Sequence, residues 1–374
     1  RLTLLKRPIG EFHKKFYLPL LEKLAYHNFL VVALGKNVSG KYRQKAFRQM
    51  KRVLKIRRDY AERLLASFAM EVQSDHFGNG RTLSMEGSSV EFYVDNEPTM
   101  EFHSHFSDKP EQNAATTFDH TAALFDEMKK RGLLEAGFAV LEDTDGCQDQ
   151  YRKSVAWYLL TVLATTYQVA IDRGVGAPGH GKDLVDGLNA LDKAFLRAKM
   201  CMIGTPEADE RECRIAAHKM IEDAMYSFAA ECVRLCSNPD RATGAKSYAK
   251  HKKRESAAKM TKRVYHLDSE NDKSFFGLEK KVVGLEAGRN NVIRAHYNAR
   301  ADPDLGVGII AVRRITCNCD GCMTCLARKW KCDTAPEEQP RYAGSCNECV
   351  LWPIFEGLND WKIVKCVPGK SDYK

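Results

Sequence analysis

The chain of 374 residues lacks any apolar run that approaches the roughly 20 residues needed to cross a bilayer, which argues against a membrane class. With 44% hydrophobic and 29% charged residues, it also lacks the compositional bias of collagenous or disordered proteins. An ordinary globular protein of two or three domains is expected. No charged-then-apolar leader follows Arg1, so we expect the numbering to start inside a longer or processed chain. No internal repeat is found.

The 13 cysteines do not have the pattern of a secreted disulfide framework, because their number is odd and no leader precedes them. A reducing, intracellular compartment with thiolate-bound metal explains them better. Eight of them crowd the range 317–366, where CNCDGCMTC and CNEC predict a structural Zn²⁺ site with four thiolate ligands. One Cys-x-x-Cys pair from the first string, either Cys319 with Cys322 or Cys322 with Cys325, would bind the ion together with the pair Cys346 and Cys349 of the second string. The alternative is that cysteines are enriched here by chance. The candidate ligands are Cys319, Cys322, Cys325, Cys346 and Cys349.

The net charge of +9 is concentrated in two runs of nine basic residues each. The first, 41–58, contains no acid, and the second, 241–263, contains only Glu255. A single run of this kind is often a solvated helix face, but two runs favour a polyanion partner such as DNA. The candidate phosphate-binding residues of the second run are Lys250, Lys252, Lys253, Arg254, Lys259, Lys262 and Arg263.

The apolar pattern predicts helices within 11–50 and alternating strands and helices over 100–200. Residues 60–72 fit both a helix face and a half-buried strand, and the helix is favoured. Glycine-rich turns within 78–94 predict short strands joined as a hairpin or meander. Together these signals predict an α/β fold in which helices pack on a mixed sheet.

Acidic residues stand where α/β proteins place their sites. Asp143 and Asp145 end an apolar strand, and Asp183 and Asp186 begin a helix. The alternatives are an Asx turn with glycine at its left-handed position for the first pair, and helix capping for the second. Taken as one set with an acid from an earlier strand, they suit two-metal phosphoryl transfer, which needs about three carboxylates from different elements.

The string GAPGHGK at 176–182 has the glycine and lysine spacing of a phosphate loop. The next residue is Asp183, where such a loop needs serine or threonine for magnesium, and a carboxylate there would repel the phosphates. The preceding TYQVAID also lacks the continuous apolar character of a buried parallel strand. A nucleotide-hydrolysing phosphate loop is therefore a minor alternative.

Four segments, in order, resemble the core of ribonuclease H-like DDE/D transposases, which are mobile-element proteins of eukaryotes. They cover about residues 50–325 and read RRDYAERLLASFAMEVQSDHFGNGRTL, DTDGCQDQYRKSVAWYLLTVL, APGHGKDLVDGLNALDK and VRRITCNCDGC. The resemblance implies a ribonuclease H-like mixed sheet with flanking helices, and metal-dependent cleavage and strand transfer of DNA in the nucleus. Asn189-Ala190 stands where these relatives favour a glycine pair, so an inactive, domesticated DNA-binding copy is an alternative.

Carried over position by position, the resemblance implies that Asp59, Asp145 and Asp186 are the catalytic acids that hold Mg²⁺ or Mn²⁺. His180 and Lys182 would stabilise charge on the phosphate. The chain would divide into an N-terminal helical element (1–50), a catalytic domain (51–200), a helical basic insertion (201–265), a mixed segment completing the core (266–316) and a zinc-binding unit (317–374). DNA is the expected partner, and a homo-oligomer is a further expectation.

Overall fold

The protein is described by a computed structural model over residues 17–37, 41–50, 52–61, 64–65, 82–107, 111–177, 184–200, 261–267, 283–285, 296–314 and 361–368. Within these ranges, five α-helices and a π-helical turn accompany eleven strands. The helices are α1 (Leu18–Asn37), α2 (Lys41–Gln49), α3 (Ala114–Lys130), α4 (Ser154–Tyr167) and α5 (Leu184–Met200), and the π-helical turn is Gln148–Arg152. No described helix is long and apolar enough to cross a membrane.

The strands form one large mixed sheet. They are β1 (Val53–Tyr60), β2 (Leu64–Leu65), β3 (Thr82–Val94), β4 (Glu97–Ser107), β5 (Ala139–Thr144), β6 (Ala170–Val175), β7 (Thr261–Leu267), β8 (Val283–Leu285), β9 (Asn298–Ala301), β10 (Ile309–Arg313) and β11 (Lys362–Pro368). Their order is β7-β4-β3-β1-β5-β6-β9-β10-β11-β8, with β2 paired to β3. The α/β class predicted from the sequence is confirmed.

The centre of the sheet combines an antiparallel and a parallel part. Strand β3 is antiparallel to both β4 and β1, whereas β1, β5 and β6 run parallel to one another. The β3–β4 hairpin closes at Asp95-Asn96, whose φ angles of 51° and 66° match the two left-handed positions of a type I′ turn. The predicted glycine-rich turn within 82–94 is wrong, because Gly87 lies inside a continuous strand.

Each face of the sheet is covered by helices. On one face, Leu54 and Ile56 of β1 pack in a core with side chains of α3 and α4. On the other, Val53 and Leu141 pack against Phe47 of α2. This alternation along β1 assigns its odd-numbered side chains to the α2 face.

Two further sequence predictions need correction. The helix favoured over 60–72 is wrong at both described places, because Tyr60 ends β1 and Leu64–Leu65 forms β2. The segment 170–175 is a strand that is buried along its whole length and parallel to β5, although its polar residues argued against one. Those polar residues are tolerated because Asp172 and Arg173 have buried partners of opposite charge.

The C-terminal part of the described chain extends the same sheet. Strand β11 pairs with β10, and its Cys366 is buried in the core beneath α3 and α4. Trp361 lies under the guanidinium groups of Arg300 and Arg313, at 4.7 and 4.1 Å from its ring. This tryptophan therefore packs against the main sheet.

Three cations of the basic run 41–58 are folded into the interior, whereas Lys45, Arg48 and Arg52 are exposed. Arg43 is fully buried and donates hydrogen bonds to Asp143 and Asp172, both at 2.9 Å. Burial alone would raise the pKa of Asp172, but Arg300, Arg43 and Arg313 together hold that pKa well below its usual range. Lys55 and Arg58 are likewise buried in ion pairs. These three cations stabilise the fold and do not form a surface for a polyanion.

Candidate functional site

The first two predicted acids lie at the same end of the parallel pair β1–β5. In the register, Arg57 is opposite Asp143 and Arg58 is opposite Thr144, where the pairing ends, and Asp59 and Asp145 are the next residues of the two segments. The side chains of Arg57 and Asp143 approach to 3.9 Å on the α2 face. Asp59 continues that face along β1, because alternate residues of a strand point the same way, and Asp145 directly follows β5.

Asp145 lies directly after β5 at the carboxyl end of the parallel strands. Its Oδ1 accepts a hydrogen bond from the backbone amide of Cys147 at 3.0 Å, which makes the Asx turn considered from the sequence. Gly146, however, is not in the left-handed region, so that part of the expectation is wrong. This hydrogen bond uses one carboxylate oxygen of Asp145, and the residue stays at the end of the strand.

The third acid is carried by α5, which begins at Leu184 and has Asp186 in its first turn. Burial raises the pKa of Asp145, and the negative charges of Asp186 and Glu86 raise it further. Since like charges must be close to have this effect, α5 brings Asp186 into electrostatic reach of Asp145. Asp59 also contributes, together with Asp145, to the raised pKa of the buried Tyr151.

Helix α5 is fitted onto the sheet at a glycine. Its Asn189 donates a hydrogen bond from Nδ2 to the backbone carbonyl of Asp59 at 3.1 Å. Gly87 lies opposite Asp59 in the register, and a Cβ there would meet Asn189 Oδ1 at 2.1 Å. A glycine inside a strand often marks such a close approach, and this signal in the sequence went unused.

Glu86, Tyr151 and His120 form a buried cluster beneath α3 that sequence reasoning missed. The Tyr151 hydroxyl donates to Glu86 at 2.9 Å, and the same carboxylate lies 2.7 Å from His120 Nδ1. Alternating polar residues around Glu86 in β3, Ser84 and Ser88, were the available signal. The cluster connects the π-helical turn to β3 and lies within electrostatic reach of Asp145.

The chemistry of the acids suits a divalent cation. Carboxylates are the ligands that Mg²⁺ and Mn²⁺ prefer, and Mg²⁺ is often held by only one or two of them with several waters. Burial first, and then the negative charges of Asp186 and Glu86, raise the pKa of Asp145, and a bound cation would offset that repulsion. Across the described ranges, no three histidine, cysteine, aspartate or glutamate side chains are grouped closely enough to hold an ion.

Many predicted site residues lie outside the described residues. These are His180, Lys182, the candidate zinc ligands Cys319, Cys322, Cys325, Cys346 and Cys349, and the basic residues Lys250, Lys252, Lys253, Arg254 and Lys259. The cysteines in the described part of the chain are Cys147, which is partly buried, and Cys366, which is buried.

Lys262 and Arg263 of β7 are predicted to bind phosphate, but in the structure both form ion pairs with carboxylates of other elements. The Lys262 side chain is 4% exposed and forms an ion pair with the buried Asp192 of α5. Arg263 pairs with Glu101 at 2.9 Å and with Glu127 at 3.3 Å. In this structure Lys262 connects β7 to α5 and is not presented to solvent.

The structure removes one argument against a phosphate loop, because β6 is a buried parallel strand and a helix follows it. The loop itself lies mostly outside the described residues, which stop at Ala177 and resume at Leu184. Charge is the remaining argument against it. Asp183 in the sequence and Asp186 in the first turn of α5 put acids at the helix end that a phosphate would approach.

Comparison with known proteins adds no relative. No protein-family model, no curated protein and no solved structure matches the chain.

Proposed function

We propose that the chain is a ribonuclease H-like DDE/D nuclease and strand transferase that acts on DNA phosphodiesters with Mg²⁺ or Mn²⁺. The observation that supports this proposal is the placement of acids from distant parts of the sequence at one end of the sheet. Asp59 follows Arg58 of β1, Asp145 follows its partner Thr144 of β5, and the negative charge of Asp186 acts on Asp145. Convergence of this kind is what metal-assisted phosphoryl transfer requires.

The sheet order supports the same proposal. Strands β4, β3 and β1 are antiparallel neighbours, and β5 and β6 follow in parallel, so the first strand lies beside the later strand that ends in an acid. Helix α5 follows β6 and packs back toward the β1 end. This is the arrangement that the resemblance to ribonuclease H-like transposases implies for its three acids.

Each acid would have a distinct role in the reaction. Asp59 and Asp145 would hold and orient a cation at the edge of the sheet, with Asp186 completing the negative site from the helix. A bound divalent cation would activate the attacking oxygen and neutralise charge on the phosphate. Asp145 remains oriented by its hydrogen bond from the Cys147 amide, which keeps its carboxylate at the strand end.

The decisive experiment measures Mn²⁺ binding to the metal-free protein by electron paramagnetic resonance, and cleavage of a DNA duplex with Mg²⁺. The wild type should bind the ion and cut, whereas Asp145→Asn should lose both properties while remaining folded by circular dichroism. Asp149→Asn is the matched control, since this exposed acid lies near Asp145 in sequence but pairs with Lys153. Equal Mn²⁺ binding in Asp145→Asn and the wild type would refute the proposal.

A second candidate is a DNA-binding protein that keeps the fold without a working metal site. It is favoured by the finding that the described acids do not form a group of three close ligands. Such a protein would bind duplex DNA with an affinity that is independent of Mg²⁺. Its salt dependence would then come from basic residues other than the buried Arg43, Lys55 and Arg58.

The remaining expectations extend this proposal. A zinc-binding C-terminal unit would be stabilised by the thiolates of 317–349, a DNA substrate agrees with a nuclear location, and self-association stays a prediction. Zinc content measured by native mass spectrometry under reducing conditions tests the first of these. A zinc-free protein, or one with disulfides among these cysteines, would contradict it.

A further inference from the structure

Asn189 makes the contact that joins the helix of the third acid to the strand of the first. It follows Asp186 by three residues on α5, so the two side chains are neighbours along the helix surface. Its side chain is buried, and its amide donates to the backbone carbonyl of Asp59 at 3.1 Å.

The strand is shaped to receive this side chain. A Cβ at Gly87 would stand 2.1 Å from Asn189 Oδ1 and 2.9 Å from Phe102 Cζ, so any larger residue would displace the Asn189 side chain. Asn189 Oδ1 is itself buried and has no hydrogen-bond partner in the described part of the chain. A buried amide used for only one bond costs stability, which indicates that its position serves something other than stability.

A second polar contact holds α5 farther along the helix. Asp192, which is fully buried, pairs with Lys262 of β7 and accepts a hydrogen bond from Ser104 of β4 at 3.3 Å. Val185 and Leu188 add an apolar contact with Phe102. The helix is therefore anchored without Asn189, and removal of the Asn189 amide would shift its first turns without detaching it.

We propose that Asn189 is a positioning residue that sets Asp186 against Asp59, an inference that rests on the proposed function. Its amide touches the backbone of the first acid and no reacting group, so it acts by fixing the separation of the carboxylates. Asn189, which stands where the resembling transposases favour a glycine, is on this account a working part of the site.

The test compares Asn189→Ala with Ala190→Ser, an exposed neighbour on the same helix. In the metal-free protein, amide hydrogen exchange of residues 184–193 should be faster in Asn189→Ala and unchanged in Ala190→Ser. Mn²⁺ affinity, measured by electron paramagnetic resonance, should fall about tenfold, as for other residues that orient metal ligands. In DNA cleavage, kcat should fall with KM for DNA unchanged, which a general loss of structure would not produce.

Two results overturn the proposal. One is hydrogen exchange in metal-free Asn189→Ala that equals that of the wild type, because the amide then does not hold the helix. The other is Mn²⁺ affinity within twofold of the wild type while Asp186→Asn loses the ion. A wild type that binds no Mn²⁺ refutes the proposed function instead, and faster exchange in Asn189→Ala would still support the positioning role.

Discussion

Gly87→Ala is the substitution whose effect the structure predicts most sharply. Gly87 lies inside β3 opposite Asp59, and its place in the strand requires no unusual backbone angle. The added methyl group would stand 2.1 Å from Asn189 Oδ1, 2.9 Å from Asn189 Cγ and 2.9 Å from Phe102 Cζ. Because no Cβ tolerates the first of these distances, the Asn189 side chain, α5 or β3 must move.

The expected cost has two parts. Overpacking of a filled interior typically costs about 1–3 kcal/mol of unfolding free energy. The displaced Asn189 would also lose its hydrogen bond to Asp59, which contributes about 0.5–1.5 kcal/mol. A total loss of about 2–4 kcal/mol follows, reduced slightly because alanine is less flexible than glycine in the unfolded chain.

The assay is urea unfolding followed by circular dichroism, with Gly187→Ala as the matched control. Gly187 lies in α5 next to Asp186, and nothing lies within 4 Å of a Cβ built there. The same substitution should therefore raise stability by up to about 1 kcal/mol, as glycine to alanine does in helices. A Gly87→Ala protein as stable as the wild type would refute the packing of α5 against β3.

Three further predictions concern buried charges. Lys262→Met should lower the free energy of unfolding in urea by about 3–5 kcal/mol, because it leaves Asp192 without its ion pair. The salt dependence of DNA binding should stay unchanged. A weaker salt dependence would instead show that Lys262 binds phosphate. Burial, then His120, His103 and Arg58, hold the pKa of His105 well below its usual value. Below about pH 6.5, His105 therefore binds a proton in the unfolded chain but not in the folded protein. The free energy of unfolding falls as the pH drops. His105→Phe should remove up to about 2 kcal/mol of that loss between about pH 7.5 and 5, and an equal loss in both proteins would contradict this. Burial and the charges of Asp186 and Glu86 raise the pKa of Asp145, so its ionised form costs stability at neutral pH. Asp145→Asn should therefore raise the urea midpoint of the metal-free protein. A lowered midpoint would show that the ionised carboxylate is not destabilised.

Short-range patterns in the sequence predicted the local elements well. The apolar pattern over 100–200 predicted helices such as α3, which Asn113 caps in the structure, and the apolar run before Asp143 predicted β5. The errors fell where tertiary contacts override a pattern. Strand β6 contains Asp172 and Arg173, whose burial is explained only by partners such as Arg43, which is 129 residues away from Asp172.

The basic runs show the same limit for function. A series of cations such as Arg43, Lys55 and Arg58 has the pattern of a surface for a polyanion. Arg43 is nevertheless buried between Asp143 and Asp172, which are 100 and 129 residues away. The sign and number of charges are local properties of a sequence, but whether they are exposed depends on which acids the fold brings beside them.

The identity of the acids, their order and their placement at the ends of predicted elements followed from the sequence alone, because hydrophobic periodicity and turn residues act over a few positions. Only the tertiary structure decided that Asp59 and Asp145 lie at the same end of two paired parallel strands, since strand register depends on pairing between segments 86 residues apart by number. It also decided that Gly87 admits Asn189, whose amide donates to the backbone carbonyl of Asp59. That fit depends on the space between a helix and a strand, which no pattern within either segment contains.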